Sequence, residues 1–162
     1  MIKVLFVCLG NICRSPMAKY IFEDLIEKQG ESSNFKVDSA ATSYEEVGNG
    51  IYKYAADKLR EKGIKFDNHK ARRITKEDYE IYDYILAMEE RNVEGILRIV
   101  GNDPSNKIHR ILDYSDNPRD ISDPWYTGDF EKAYNDIIEG SRAFYNYVKK
   151  GRNNAKNFCK KM

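Results

Sequence analysis

The chain has 162 residues, of which 41% are hydrophobic and 33% are charged, and its formal net charge is +1. This length fits one domain, and the composition is that of an ordinary soluble protein. No apolar run approaches the roughly 20 residues of a membrane-spanning helix, and the apolar opening at residues 1–9 is too short for a signal peptide. We therefore predict a cytoplasmic protein without a membrane span.

Charge is distributed unevenly along the chain. Six basic residues and no acidic ones lie in residues 149–162, so the rest of the chain is acidic overall. A basic segment of this kind can bind nucleic acid or an anionic membrane. Its composition favours a solvated, partly disordered tail instead, so we predict no nucleic-acid partner. We place the domain at residues 1–148 and the tail at residues 149–162.

Three cysteines, Cys8, Cys13 and Cys159, occur in a chain without a secretory signal. An odd number in this context argues against a structural disulfide framework. Four residues separate Cys8 from Cys13 and no further Cys/His cluster accompanies them, so we predict no metal site. A reactive thiol is the remaining interpretation.

Hydrophobic periodicity predicts alternating strands and helices. Lys3–Cys8 is a short apolar run typical of a strand buried on both faces. Ser15 followed by Pro16 predicts an N-cap and the start of a helix that reaches about Gly30. Further strands are expected at residues 35–40, 82–88 and 107–112, and helices at 51–61, 90–99 and 129–148. The alternation predicts an α/β domain with a parallel sheet.

The loop from Cys8 to Ser15 joins the first strand to the first helix. Ligands of parallel sheets bind beyond the carboxyl ends of the strands, and a helix N-terminus there offers backbone N–H groups and positive potential. Gly10 and Asn11 are residue types that tolerate the left-handed backbone angles of such a cradle. We predict that the loop binds an anion of the size of phosphate.

Three side chains of this loop predict nucleophilic chemistry. A Cys8 thiolate would be stabilised by the N–H groups, the helix N-terminus and Arg14, and would attack at neutral pH without a histidine base. The planar guanidinium of Arg14 can hold two phosphate oxygens and meet the charge of the transition state. The hydroxyl of Ser15 can hydrogen-bond the sulfur and ease its departure in a second step.

Cleavage of a phosphate ester also needs a proton for the leaving oxygen. The best candidate is Asp123, because Pro124 stiffens its loop and two aromatic residues, Trp125 and Tyr126, could form the wall of a cleft. The same carboxylate could then activate water to hydrolyse a cysteinyl phosphate, a scheme that needs neither metal nor cofactor. Other acids of the same region remain alternatives at this point: Asp113, Asp116, Asp120 and Asp129.

The string from Val7 to Ala18 closely resembles the active-site loop of low-molecular-weight protein tyrosine phosphatases. The resemblance continues in four more segments and spans residues 2 to about 148: Asp38–Ser43, His69–Arg72, Asp83–Met88 and Asp123–Tyr126. It implies a flavodoxin-like fold, with a four-stranded parallel sheet and helices on both faces, in a single domain. The implied substrate is a phosphotyrosine protein, and the implied assembly is a monomer or a weak dimer.

The resemblance also implies a role for each matching residue. Cys8 would be the nucleophile, Arg14 the phosphate clamp and Asp123 the general acid, while Cys13 would trap an oxidised Cys8 as a disulfide. The loop and its supporting network would comprise Leu9, Gly10, Asn11, Ile12, Cys13, Ser15, Ser39 and His69. The rim around the phenyl ring of the substrate would comprise Leu9, Ile12, Tyr44, Trp125 and Tyr126.

Four other functions are compatible with parts of the pattern. A protein-arginine phosphatase on the same scaffold is the nearest, but such relatives carry Thr where this chain has Ile12. An arsenate reductase would need two further cysteines, and residues 60–110 contain none. A phosphocarrier subunit or a silent phosphotyrosine-binding module would not need Arg14 and Asp123 together with Cys8.

Overall fold

The computed structural model describes the backbone of residues 1–161 and the side chains of residues 1–153. Its centre is one sheet of four parallel strands in the spatial order β2-β1-β3-β4. The strands are β1 (Ile2–Cys8), β2 (Phe35–Ala41), β3 (Tyr84–Ala87) and β4 (Ile108–Arg110). The predicted parallel α/β sheet is confirmed, and β1, which carries the candidate nucleophile at its end, is a central strand.

Helices connect these strands. The α-helices are α1 (Arg14–Lys28), α2 (Lys53–Glu61), α3 (Lys76–Ile81), α4 (Glu90–Val100), α5 (Pro124–Thr127) and α6 (Phe130–Lys161). Two 3-10 helices span Ser32–Asn34 and Ile111–Tyr114. Within the described part of the chain, no helix combines the length and apolarity needed to cross a bilayer.

Successive side chains of β1 point to opposite faces of the sheet and enter two separate cores. Val4 and Phe6 pack with α1, α2 and α6, whereas Leu5 and Val7 pack with α3 and α4. All four of these side chains are fully buried. The sheet is therefore covered by helices on both faces, as predicted, and its carboxyl edge is left for a binding site.

The predicted N-cap at Ser15 is wrong. Helix α1 begins at Arg14, so Cys13 is the N-cap residue and Pro16 is the third helical residue. The Ser15 hydroxyl bonds to the side chains of Cys8 and Asn11 instead of capping the helix. The Ser15 side chain, in the first turn of α1, therefore contacts the loop and leaves the helix end without a side-chain cap.

Two elements that pack in the core with Leu5 and Val7 differ from the prediction. Helix α3 was not expected, and it begins with a capping box in which Thr75 and Asp78 each accept the other's backbone N–H. Strand β4 ends at Arg110, two residues early, because a 3-10 helix follows directly. Both differences lie outside the loop between β1 and α1.

Helix α6 passes residue 148 without interruption and extends to Lys161. Arg152 lies within this extension and donates from Nη1 to Glu31 Oε2 at 2.8 Å. The division into a domain of residues 1–148 and a tail stays a prediction. The side chain of Cys159 lies outside the described residues.

Candidate active site

The loop between β1 and α1 wraps around the Cys8 sulfur. Its left-handed residue is Asn11, with φ of 59°, and the Asn11 N–H points at Cys8 Sγ over 3.3 Å. Gly10 does not take a left-handed angle; it provides space instead, because a Cβ there would lie 3.3 Å from Glu46 Cγ. Cys8 is 3% exposed, and the Ser15 hydroxyl lies 3.0 Å from its sulfur.

The Asn11 side chain holds the loop from within. Its Nδ2 donates to Ser15 Oγ at 2.8 Å and to Ser39 Oγ at 2.9 Å, and its Oδ1 accepts the Arg72 N–H at 3.1 Å. The Asn11 carbonyl accepts from His69 Nε2 at 2.6 Å. The structure thus brings together Asn11, Ser15, Ser39 and His69, which the family resemblance implies as supports of the loop. Arg72, which joins them through its backbone, was missed.

His69 supports the loop as a neutral donor. A carbonyl can only accept, so the proton must be on Nε2. Burial lowers the pKa of His69, because the imidazolium would lose hydration, although the Asn11 carbonyl favours the charged form and partly offsets this.

Arg14 is fully buried, yet its guanidinium faces the cavity above Cys8. Nη1 donates to the Ile121 carbonyl at 2.7 Å and lies 3.3 Å from Glu89 Oε2. Nη2 lies 3.3 Å from Asp123 Oδ2. Glu89 was not predicted, although it is an acidic residue just beyond the carboxyl end of β3, where ligand sites of parallel sheets form.

Of the five candidate aspartates, Asp123 is the one that the fold brings to the cavity. It is the N-cap of α5, and its Oδ1 accepts the Trp125 N–H at 3.0 Å. The cavity holds about 130 Å³ and includes Cys8, Arg14 and Asp123 in its lining. None of the four alternative aspartates lines it. Two of them pair with Arg110 instead, namely Asp113 and Asp120.

Apolar side chains form much of the remaining cavity wall, namely Leu9, Ile12, Trp125 and Tyr126. Tyr44, the fifth predicted rim residue, does not line the cavity in the structure. The Arg73 guanidinium lies 4.0 Å from the centre of its ring and donates to its hydroxyl at 2.8 Å, which holds Tyr44 away from the opening. Glu45 and Glu46 line the cavity in its place.

Cys13 is a second free thiol in the wall of the cavity. Burial raises its pKa strongly, and the negative charge of a Cys8 thiolate raises it further. Cys13 therefore stays protonated, which leaves Cys8 as the candidate nucleophile of the cavity. An enclosed sulfur with N–H and O–H donors, a buried arginine and a facing carboxylate form a site suited to phosphoryl transfer onto cysteine.

Comparison with known proteins identifies the family. The model of the low molecular weight phosphotyrosine protein phosphatase family matches residues 3–154, and the chain belongs to this family. The low molecular weight protein-tyrosine-phosphatase YfkJ of Bacillus subtilis is 43% identical over 135 residues, which are 82% of this chain and 86% of that protein. The low molecular weight phosphotyrosine protein phosphatase of Sus scrofa is 43% identical over 153 residues, covering 91% of this chain and 96% of the relative.

Solved structures agree with this assignment. The crystal structure of YfkJ superposes with a TM-score of 0.90 at 40% identity and covers 93% of this chain and 96% of that chain. The structure of a Drosophila arginine phosphatase superposes with a TM-score of 0.82 at 31% identity, covering 91% and 98%. The fold is therefore shared with a protein described as an arginine phosphatase, and side chains must distinguish the substrates.

Proposed function

We propose that this chain is a protein-tyrosine phosphatase that hydrolyses phosphotyrosine through a cysteinyl-phosphate intermediate. The observation that carries the proposal is the environment of Cys8, whose sulfur has the Asn11 N–H and the Ser15 hydroxyl within hydrogen-bond reach in a cavity shared with Arg14 and Asp123. Family membership supports the same reaction.

In the first step the Cys8 thiolate attacks phosphorus, an S–P bond forms and the bond to the tyrosine oxygen breaks. Arg14 holds two equatorial oxygens, where transition-state charge is spread. Asp123 gives its proton to the departing phenolate, so that tyrosine leaves neutral.

In the second step Asp123, now ionised, takes a proton from water as the water oxygen attacks phosphorus. The S–P bond breaks, inorganic phosphate leaves and Cys8 regains its negative charge. The Ser15 hydroxyl lies 3.0 Å from the sulfur and can donate to the leaving thiolate.

The phosphate dianion also competes with Asp123 for Arg14. Without a ligand, the Arg14 guanidinium pairs with Asp123 at 3.3 Å. A phosphate that occupies the clamp takes over this guanidinium and releases the Asp123 carboxyl to face the leaving oxygen.

Apolar walls favour a phenyl ring over a short aliphatic chain. Leu9, Ile12, Trp125 and Tyr126 would contact the ring of phosphotyrosine, whereas phosphoserine would leave these surfaces hydrated. Ile12 carries no hydroxyl, so it offers no hydrogen bond to the guanidino group of phosphoarginine.

The test compares hydrolysis of matched phosphotyrosine, phosphoserine and phosphoarginine peptides by the wild type and by Cys8→Ser. We expect turnover of phosphotyrosine alone and its loss in Cys8→Ser, while Cys159→Ser, the same change at another thiol, serves as the control. Faster turnover of phosphoarginine would replace the substrate and keep the mechanism. Full activity of Cys8→Ser would contradict the proposal.

We further propose that Cys13 protects an oxidised Cys8 by forming a disulfide with it. Both sulfurs belong to the same cavity wall, and condensation of a Cys8 sulfenic acid with the Cys13 thiol releases water. Peptide mass spectrometry after treatment with peroxide should detect a Cys8–Cys13 linkage. Irreversible oxidation of Cys8 without this linkage would refute the role.

The setting that we propose is the cytoplasm, with phosphotyrosine proteins as partners. Free Cys8 and Cys13 thiols support this location, because reducing compartments keep thiols reduced. We also propose a monomer or weak dimer without nucleic-acid binding, which sedimentation velocity with and without DNA or RNA would test.

A further inference from the structure

A second, larger depression adjoins the catalytic cavity. It holds about 670 Å³, and Leu9 lines both, so the side chain of Leu9 forms the wall between them. We call this depression the cationic groove, because its lining includes three cations, Arg73, Lys76 and Arg98, and no acidic residue.

The cations of the groove lack acidic partners within the part of the protein whose side chains are described. None of the three forms an ion pair with a carboxylate there, whereas Arg14, Arg72 and Arg110 do so. Lys76 and Arg98 are exposed at the start of α3 and near the end of α4. Positive charge that is not neutralised locally remains available to an anionic ligand.

Arg73 is held in position by neutral groups. Its Nε donates to the Thr42 carbonyl at 3.1 Å, and its Nη1 donates to the Tyr44 hydroxyl while the guanidinium stacks on that ring. These contacts use two of the five N–H groups of an arginine and leave its full charge uncompensated. A planar donor fixed in this way loses less entropy when it binds a carboxylate.

Gly95 lines the cationic groove and has no side chain to fill it. It lies within α4, where glycine is less favourable than alanine. A Cβ at this position would lie 3.1 Å from Thr42 Cβ and Cγ2. The absence of a side chain therefore allows α4 to approach the end of β2 and leaves space beside the cations.

The two cavities have opposite charge at their margins. Glu45 and Glu46 line the catalytic cavity, whereas the charged residues that line the groove are all cations. An acidic residue of a bound protein would be repelled by the first margin and attracted by the second. Neighbouring residues of an extended chain reach roughly 3.3–3.6 Å further per position, so residues two or three positions from the phosphotyrosine lie roughly 7–11 Å from it along the chain.

We propose that the cationic groove is a substrate subsite that binds the carboxylate of an acidic residue near the phosphotyrosine. The inference deepens the proposed phosphatase function and rests on it. Because exposed ion pairs are individually weak, we expect an advantage of about fivefold in kcat/KM for an acidic flank over a neutral one. The advantage should decline with added salt, since exposed charges are screened.

The experiment measures kcat/KM for three sets of phosphotyrosine peptides that differ only in having Asp, Ala or Lys at positions within three residues of the phosphotyrosine. They are tested with the wild type, with the double variant K76Q/R98Q and with the control R142Q/K150Q. The control removes two exposed cations of α6, which lie at least three helical turns from the start of that helix. Free O-phosphotyrosine, which has no flanks, reports the catalytic site alone.

We expect the wild type and the control to prefer the Asp peptides about fivefold over the Ala peptides, and K76Q/R98Q to distinguish them by less than twofold. All three proteins should hydrolyse free O-phosphotyrosine at the same rate. An undiminished Asp preference in K76Q/R98Q, or no preference in the wild type, would overturn the subsite while the phosphatase function stands. Failure of the wild type to hydrolyse free O-phosphotyrosine would overturn both.

Discussion

Substitution of Asn11, in the loop between β1 and α1, should strongly lower the free energy of unfolding. Its backbone is left-handed, with φ of 59°, and its side chain is fully buried. The amide makes three hydrogen bonds, to Ser15, to Ser39 and from the Arg72 backbone, at 2.8, 2.9 and 3.1 Å. Asn11→Ala therefore removes the three bonds and also places a residue in an unfavourable backbone conformation.

The magnitude follows from these two contributions. Each hydrogen bond contributes about 1 kcal/mol net, so their loss lowers the free energy of unfolding by about 3 kcal/mol. Left-handed backbone costs about 1 kcal/mol more at Ala than at Asn, whose short polar side chain compensates by local hydrogen bonds, and this brings the expected loss for Asn11→Ala to about 4 kcal/mol. Asn11→Gly loses the same bonds without the backbone cost, so it should be about 1 kcal/mol more stable than Asn11→Ala.

Urea unfolding followed by circular dichroism measures both variants against the wild type. The ordering wild type, Asn11→Gly, Asn11→Ala is the expected result, with kcat/KM for phosphotyrosine peptides falling in the same order. If both variants stay within 1 kcal/mol of the wild type, the amide does not hold the loop, because three buried bonds cannot contribute so little. Equal stability of the two variants would contradict the backbone contribution alone.

Three further predictions concern other parts of the fold. Glu89→Gln should lower kcat/KM for phosphotyrosine peptides roughly tenfold or more in steady-state assays, because it removes a charged partner of the clamp arginine; unchanged kinetics would contradict this. Gly140→Ala should lower the urea midpoint, because its Cβ would lie 2.8 Å from Ile111 Cγ1, whereas Gly151→Ala, with nothing within 4 Å, should not. The lowered pKa of His69 means that the unfolded state binds more protons below pH 6.5, so the free energy of unfolding should decrease as pH falls below that value, and less steeply in His69→Gln.

Local sequence patterns were sufficient to predict the fold because the apolar runs that indicate a strand are also the residues that the cores bury. The run from Val4 to Val7 is apolar at every position, and each of the two faces of β1 has its own core. Helix α3 escaped prediction because its six residues are too few to establish a helical period. The capping box at Thr75 and Asp78 was the available signal.

The site was predictable where contiguous residues carry the chemistry and less so where the fold brings distant residues together. Cys8, Asn11, Arg14 and Ser15 belong to one loop, and their residue types already indicate an anion site. Glu89 reaches Arg14 only because β3 lies beside β1 in the sheet, an order that local periodicity does not specify. The position of Tyr44 depends on its stacking with a side chain 29 residues away.

The two carboxylates beside Arg14 have different structural support, and this difference suits different tasks. A buried guanidinium needs a charged partner in every state of the site, since an unpaired buried charge is strongly destabilising. Glu89 is the N-cap residue of the 11-residue helix α4, just after β3, whereas Asp123 is the N-cap residue of the four-residue helix α5 and also lines the cavity. In the proposed mechanism, Glu89 stays paired with Arg14, so Asp123 can leave the arginine and donate its proton to the departing oxygen.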